Sequence, residues 1–150
     1  MKITFKILIL GLLSVTQLNA QDLNSFKAVW PTGYVISDVN DNVGPGIMED
    51  FDGDGAKDVA CLLYEKKNGS PIFFIYLTSK PQTAKYCDWV YMMHDLTYNY
   101  GVLSIASDSG GMGIFGSMKL KYDRVKRDLV VFKTDGVKGV RFNTWKILGK

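Results

Sequence analysis

The clearest signal along the chain is a pair of apolar runs that do not alternate. Residues 59–64 (Val-Ala-Cys-Leu-Leu-Tyr) are apolar on both alternations, as in a strand buried on two faces. Residues 72–77 (Ile-Phe-Phe-Ile-Tyr-Leu) repeat the pattern. Between them Lys66-Lys67-Asn68-Gly69-Ser70 supplies an Asn-Gly hairpin turn. Further on, residues 113–122 alternate strictly toward their end. Met118, Leu120 and Tyr122 fall on one face and Lys119 and Lys121 on the other, the signature of a half-buried strand. Residues 102–106 and 129–132 read as further strands, and 86–93 as an aromatic-rich strand or short helix. After an Asp135-Gly136 turn, Val140 and Phe142 against Arg141 and Asn143 close the series. Residues 21–46 look irregular, apart from the Pro31-Thr32-Gly33 turn and an extended Tyr34-Val35-Ile36 step. No stretch sustains a helical period beyond two turns. The pattern predicts an all-β, single-domain antiparallel meander, partial propeller-like or sandwich.

Composition agrees, with 13% aromatic residues and 15 glycines. The N-terminus changes the picture. Lys2 and Lys6 precede an apolar run over residues 7–15, and Leu18-Asn19-Ala20 ends on a small residue, which predicts a signal peptide over 1–20. The run is too short for a membrane span, so residues 21–150 are expected as a periplasmic or secreted domain with no span after signal removal. The signal holds two of the 18 Lys+Arg and none of the 15 Asp+Glu, leaving a nearly neutral domain. That balance excludes nucleic acid as the main partner. In an oxidising compartment the two cysteines, Cys61 and Cys87, are expected to form a disulfide; the alternative is two separate buried thiols in adjacent strands.

The candidate chemistry sits directly before the first apolar run, in Asp50-Phe51-Asp52-Gly53-Asp54-Gly55-Ala56-Lys57-Asp58. Calcium takes six to eight hard oxygen ligands in a flexible shell. Side chains at loop positions 1, 3 and 5 (Asp50, Asp52 and Asp54) converge on one point if the backbone curls around it. Gly55 permits the sharp bend at position 6, Ala56 offers its carbonyl at position 7, and Asp58 binds at position 9 directly or through water. Position 12, where a helix-loop-helix hand requires a bidentate Glu, is Cys61 within an apolar strand, so the loop is not an EF-hand. A structural calcium site of extracellular-grade affinity is expected, clamping the irregular N-terminal segment onto the first central strand. Asp38, Asn40 and Asn42 imitate the spacing, but their glycine, Gly44, falls one position late, and a plain loop is the better reading.

The stretch 50–58 followed by Val-Ala-Cys-Leu-Leu resembles the FG-GAP/VCBS-type (integrin-type) calcium loop. The order of Trp30-Pro31-Thr32-Gly33-Tyr34, this loop, Val102-Leu103-Ser104-Ile105, residues 116–122 and residues 128–132 resembles small secreted bacterial proteins with a single such loop. The resemblance implies a calcium-bound β domain in the cell envelope and carries no activity. With one loop and no internal repeat, the chain cannot build a multi-bladed propeller alone.

Other constellations are weaker. Ser107-Asp108-Ser109-Gly110-Gly111 echoes a chymotrypsin-like nucleophile, but the sole histidine, His94, lies 15 residues upstream of Ser109, the chain is too short for two six-stranded barrels, and a Gly/Ser turn is the better reading. One histidine and two cysteines 26 positions apart remove most zinc sites. Gly110-Gly111-Met112-Gly113 lacks the Lys-Ser/Thr of a phosphate loop, and the basic run Lys119, Lys121, Arg124, Lys126 and Arg127 reads as a solvated strand face and turn. The expected function is therefore non-enzymatic binding of a protein or glycan in the cell envelope, as in an inhibitor or immunity protein. The candidate patch is Trp89, Tyr91, Tyr98 and Tyr100, unless these are core. The alternative is a small secreted hydrolase using Ser109 and His94.

Overall fold

The computed structural model describes residues 23–36, 46–88, 92–108, 115–137 and 140–147. They form an all-β domain of two sheets, with one short 3-10 segment at Asn24–Val29. The strands are β1 (Tyr34–Ile36), β2 (Gly46–Glu49), β3 (Asp58–Glu65), β4 (Pro71–Tyr76), β5 (Thr83–Cys87), β6 (Met92–Asn99), β7 (Val102–Asp108), β8 (Phe115–Asp123), β9 (Asp128–Asp135) and β10 (Asn143–Lys146). All recorded pairings are antiparallel. The first sheet runs β1-β3-β4-β5-β10, with β2 also on β3; the second is the meander β6-β7-β8-β9.

β1 and β2 lie in line along one edge of β3. Ile36 pairs with Leu63 and Gly46 with Cys61, so β1 ends and β2 begins at nearby positions on that edge. At Gly46 the chains approach so closely that a Cβ would lie 2.6 Å from both the Ala60 carbonyl oxygen and the Cys61 Cβ. Only glycine fits there.

The non-alternating runs became β3 and β4, and the reason is visible in the core. Ala60 and Leu62 of β3 and Phe73 and Ile75 of β4 pack against Leu96, Leu103, Ile105, Met118 and Leu120 of the second sheet. The opposite residues, Val59, Cys61, Leu63, Ile72 and Phe74, pack under Leu23 and Trp30, with Phe26 and Val29 beside them. The first sheet is thus covered on both faces. The second has one apolar face only, and its strands alternate as water on the other side requires. Met118 and Leu120 are buried and Lys119 and Lys121 exposed, as the sequence predicts.

Four local expectations need correction. The irregular N-terminal segment contains a 3-10 turn that covers the first sheet. Residues 46–49 form a strand that no alternation announces. The aromatic-rich stretch 86–93 is the end of β5 and the start of β6, not one element. Finally, Cys61 and Cys87 do not form a disulfide with each other. Cys61 pairs with Phe74, whereas Cys87 pairs with Phe73, so the two cysteines have opposite parity and face opposite sides of the sheet. With β4 between them they are two strand spacings apart, roughly 9–10 Å, beyond the reach of a disulfide. Each is a buried thiol, and burial pushes the Cys61 thiol far above its usual range.

Two outcomes follow from this arrangement. Thiol titration should find both cysteines shielded in the folded protein and both reactive in denaturant, with a melting temperature indifferent to reductant; a fall on reduction would contradict the parity argument. Gly46→Ala should lower stability by about 1–3 kcal/mol in urea unfolding, as forced overpacking does, and an unchanged midpoint would show that the edge relaxes freely.

Candidate metal centre

The acidic stretch is the connection of the β2–β3 hairpin, and its backbone is wound by its own carboxylates. Asp50 accepts hydrogen bonds from the amides of Gly53 (2.7 Å) and Asp54 (3.1 Å) on Oδ1 and of Gly55 (2.9 Å) on Oδ2. The Asp54 amide also donates to Asp52 (3.1 Å), and the Ala56 amide to Asp54 (2.7 Å). Short carboxylate side chains capture nearby amides in this way. The curl needs left-handed backbone at Gly53 and Gly55, with φ of +79° and +90°, where a side chain would be strained.

Two loop residues turn inward. Phe51 is buried in the inter-sheet core and meets the Tyr98 ring edge-on, with centroids 5.0 Å apart. The Tyr98 hydroxyl donates to the Asp50 carbonyl oxygen at 3.2 Å, so β6 of the second sheet holds the loop by packing and by a hydrogen bond. Asp58 is the only buried charged residue among those described. Its Oδ2 accepts from the Phe51 amide (2.9 Å), and its Oδ1 from the amide and hydroxyl of Thr78 (2.8 and 3.1 Å). Next door, the Ser79 hydroxyl donates to Asp52. The loop therefore ties the β4–β5 turn and the second sheet together. It does not clamp the N-terminal segment, which covers the opposite face of the first sheet.

The electrostatics follow from this geometry. The Gly55 amide, helped by those of Gly53 and Asp54, holds the Asp50 carboxyl below the usual range despite some desolvation. Burial pushes Asp58 the other way, with the charge of Asp52 adding to the rise, against the hydrogen bonds from Thr78 and Phe51. The Tyr98 phenol is raised by burial and then by the negative field of Asp50, Glu49, Asp58 and Asp52. The carboxylates thus crowd one loop, where backbone amides lower Asp50 while burial raises Asp58.

Asp50, Asp52 and Asp58 each bring a carboxylate oxygen to within 4.8 Å of the others. Oxygens bound to one cation at 2.3–2.6 Å can be no more than about 5 Å apart, so these three residues can hold a metal ion. The oxygens of Asp58 already accept hydrogen bonds, but a carboxylate oxygen has a second lone pair to offer. Asp54 is not part of the converging trio; its carboxylate is turned back to the Ala56 amide. Ala56 is exposed at the loop's end.

Of the other sequence candidates, Asp38, Asn40, Asn42, Trp89, Tyr91 and Ser109 lie outside the described residues. His94 sits where the β6–β7 register shifts, between Met93 and Asp95. Tyr98 is half-buried against Phe51 whereas Tyr100 is wholly exposed, which divides the proposed aromatic patch. Thr78, Ser79 and the role of Tyr98 were not legible from spacing, because they reach the loop only through the fold. No family model, curated protein or solved structure matches the chain.

Removing Asp58 orphans two backbone donors, one of them buried, whereas removing the Ser79 hydroxyl affects an exposed contact. Asp58→Ala should therefore cost about 3 kcal/mol and Ser79→Ala under about 1 kcal/mol in denaturant unfolding. Equal effects would show that Asp58 does not organise the loop.

Proposed function

We propose that the chain is an exported, calcium-stabilised β domain that works by binding a protein or glycan in the cell envelope rather than by catalysis. The observation that carries the reading is the convergence of Asp50, Asp52 and Asp58 on one point of a hairpin loop braced by both sheets. An all-oxygen, all-carboxylate donor set favours a hard cation, and an irregular loop suits calcium better than magnesium, which demands a near-ideal octahedron at shorter distance. Asp50, Asp52 and Asp58 hold the ion in this reading. Asp54 and the Ala56 carbonyl join the shell only with local rearrangement of the loop, since the Asp54 carboxylate now serves the Ala56 amide.

The ion's role here is structural. It neutralises carboxylates that otherwise repel one another, and it fixes the loop against Thr78, Ser79 and Tyr98. The likeness to the FG-GAP/VCBS-type loop supports calcium, and the leader-like residues 1–20 support export to a calcium-rich compartment. An inhibitor or immunity protein is the form of binding activity that a small domain of this kind suits. Among the described residues no helix is long and apolar enough to cross a membrane.

Calcium at about 10 mM should raise the melting temperature by several degrees, the stabilisation of roughly 1–3 kcal/mol expected of a ligand present well above its dissociation constant. Magnesium should do less, and Asp52→Ala should abolish the shift; an unmoved wild-type midpoint would refute calcium binding. The shift should also be pH-dependent. Because Asp58 is raised in the metal-free fold, a proton competes with the cation there, so the calcium effect should be full near neutrality and shrink as pH falls into the raised Asp58 range. A calcium shift that persists undiminished well into acid would contradict the role given to Asp58.

A further inference from the structure

The outer face of the second sheet breaks two local rules close together. Lys119 of β8 and Lys133 of β9 are direct cross-strand partners, both exposed, and neither is ion-paired among the described residues. Like charges placed directly opposite destabilise a strand pair. Beside them Phe132 is 46% exposed, with the Lys121 ammonium 5.3 Å from its ring centroid, which brings a third positive charge to the same spot. At the end of the face Tyr100 is fully exposed and holds φ of +52°, next to Gly101 at +75°. A two-residue hairpin turn with both central φ positive prefers Asn-Gly, and a tyrosine there is strained. Local costs without a structural return mark functional surfaces.

Tyr100, Lys119, Phe132 and Lys133 line one open trough of about 580 Å³, and Lys121 stands next to it over the Phe132 ring. β7 and β8 line the trough with the small Ser104, Ala106 and Ser117 and the apolar Val102, and Thr97 and Asn99 add further polar groups. Asp95 is the one carboxylate on the lining, against Lys119 and Lys133. We propose that this trough binds an acidic oligosaccharide, with Tyr100 and Phe132 as stacking platforms for sugar rings and Lys119, Lys121 and Lys133 meeting its carboxylate or sulfate groups. The proposal rests on the binding-domain reading above and names its ligand class.

The occupant is argued from the kind of surface. The trough lies across the face of the sheet, where the strand backbones are already paired in ladders. An extended peptide that binds by strand addition needs a free edge instead. Recognition here falls to side chains: hydroxyl and amide groups suit a polyhydroxylated ligand, flat exposed rings suit its C–H faces, and the lysines select negative charge. The metal centre contributes nothing to this face.

The test uses the calcium-loaded protein and calorimetric titration with four probes. These are a hexasaccharide of unsulfated chondroitin, its sulfated form, the neutral hexamer of N-acetylglucosamine, and a polyglutamate peptide of matching charge. One or both anionic sugars should bind, more weakly as salt rises, and the pair distinguishes carboxylate from sulfate recognition. Tyr100→Asn, which suits the turn, and the double variant Lys119→Gln/Lys133→Gln should each weaken binding about tenfold or more. Their melting temperatures should hold or rise, and their calcium shift should be unchanged. The proposal is overturned if neither anionic sugar binds, if the neutral hexamer or polyglutamate binds as well, or if both variants bind like wild type. A preserved calcium shift alongside any of these results would reject the trough alone and leave the calcium-stabilised domain standing.

Discussion

A carboxylate with no exposure to water has to be satisfied on both oxygens, and Asp58 meets that requirement with partners from two different parts of the chain. One oxygen takes the amide of its own hairpin loop and the other takes Thr78 in the β4–β5 turn. Desolvating a charge is costly, and each hydrogen bond to the ionised form offsets part of that cost. The consequence is mutual dependence. The turn and the loop share this one carboxylate, and Phe51, the residue whose amide Asp58 holds, is the one that plugs into the core between the sheets. Tyr98 completes the circuit from the second sheet. A second tie between the sheets runs through Lys85, which pairs with Asp128 at 2.6 Å and donates to the Leu129 carbonyl at 3.2 Å. Being partly exposed, that tie is worth less than the buried one.

The two sheets divide the work. The central strands of the first are covered on both faces, and the acidic loop connects two of its strands. The second is apolar on one face only, and its other face carries exposed polar and charged residues such as Asp95, Lys119 and Lys133. The apolar core and the polar outer face thus lie on opposite sides of β6–β9, with the acidic loop, which could hold a metal ion, where the sheets meet. A substitution on the outer face of β8 or β9 touches neither Asp58 nor its hydrogen-bond partners.

What could be read from the sequence divides along physical lines. Residues 59–64 and 72–77 announced two-sided burial because they are apolar at every position, and Met118/Lys119/Leu120/Lys121 announced one-sided burial by alternating. The acidic loop was legible because side-chain spacing and glycine placement are local properties; Asp50, Asp52 and Asp58 do converge. Residues 46–49 were not legible, since four residues beginning with a glycine give no period, and that glycine is dictated by the Ala60 carbonyl across the ladder. The failed cysteine pairing has the same origin. An even count in an exported chain favours a disulfide, but whether two residues share a face depends on register, which is settled by the turns and by neighbouring strands. The loop's true partners, Thr78, Ser79 and Tyr98, are likewise a product of topology.

The central claim is that loop, turn and second sheet form one cooperative unit around Asp58, which a cation completes. Amide hydrogen exchange with and without calcium reads this directly. The amides of Phe51, Gly53, Asp54, Gly55 and Thr78 should gain protection together when calcium is added, with the Tyr98 region of β6 following them. Protection confined to the loop, with Thr78 and β6 unchanged, would contradict the account.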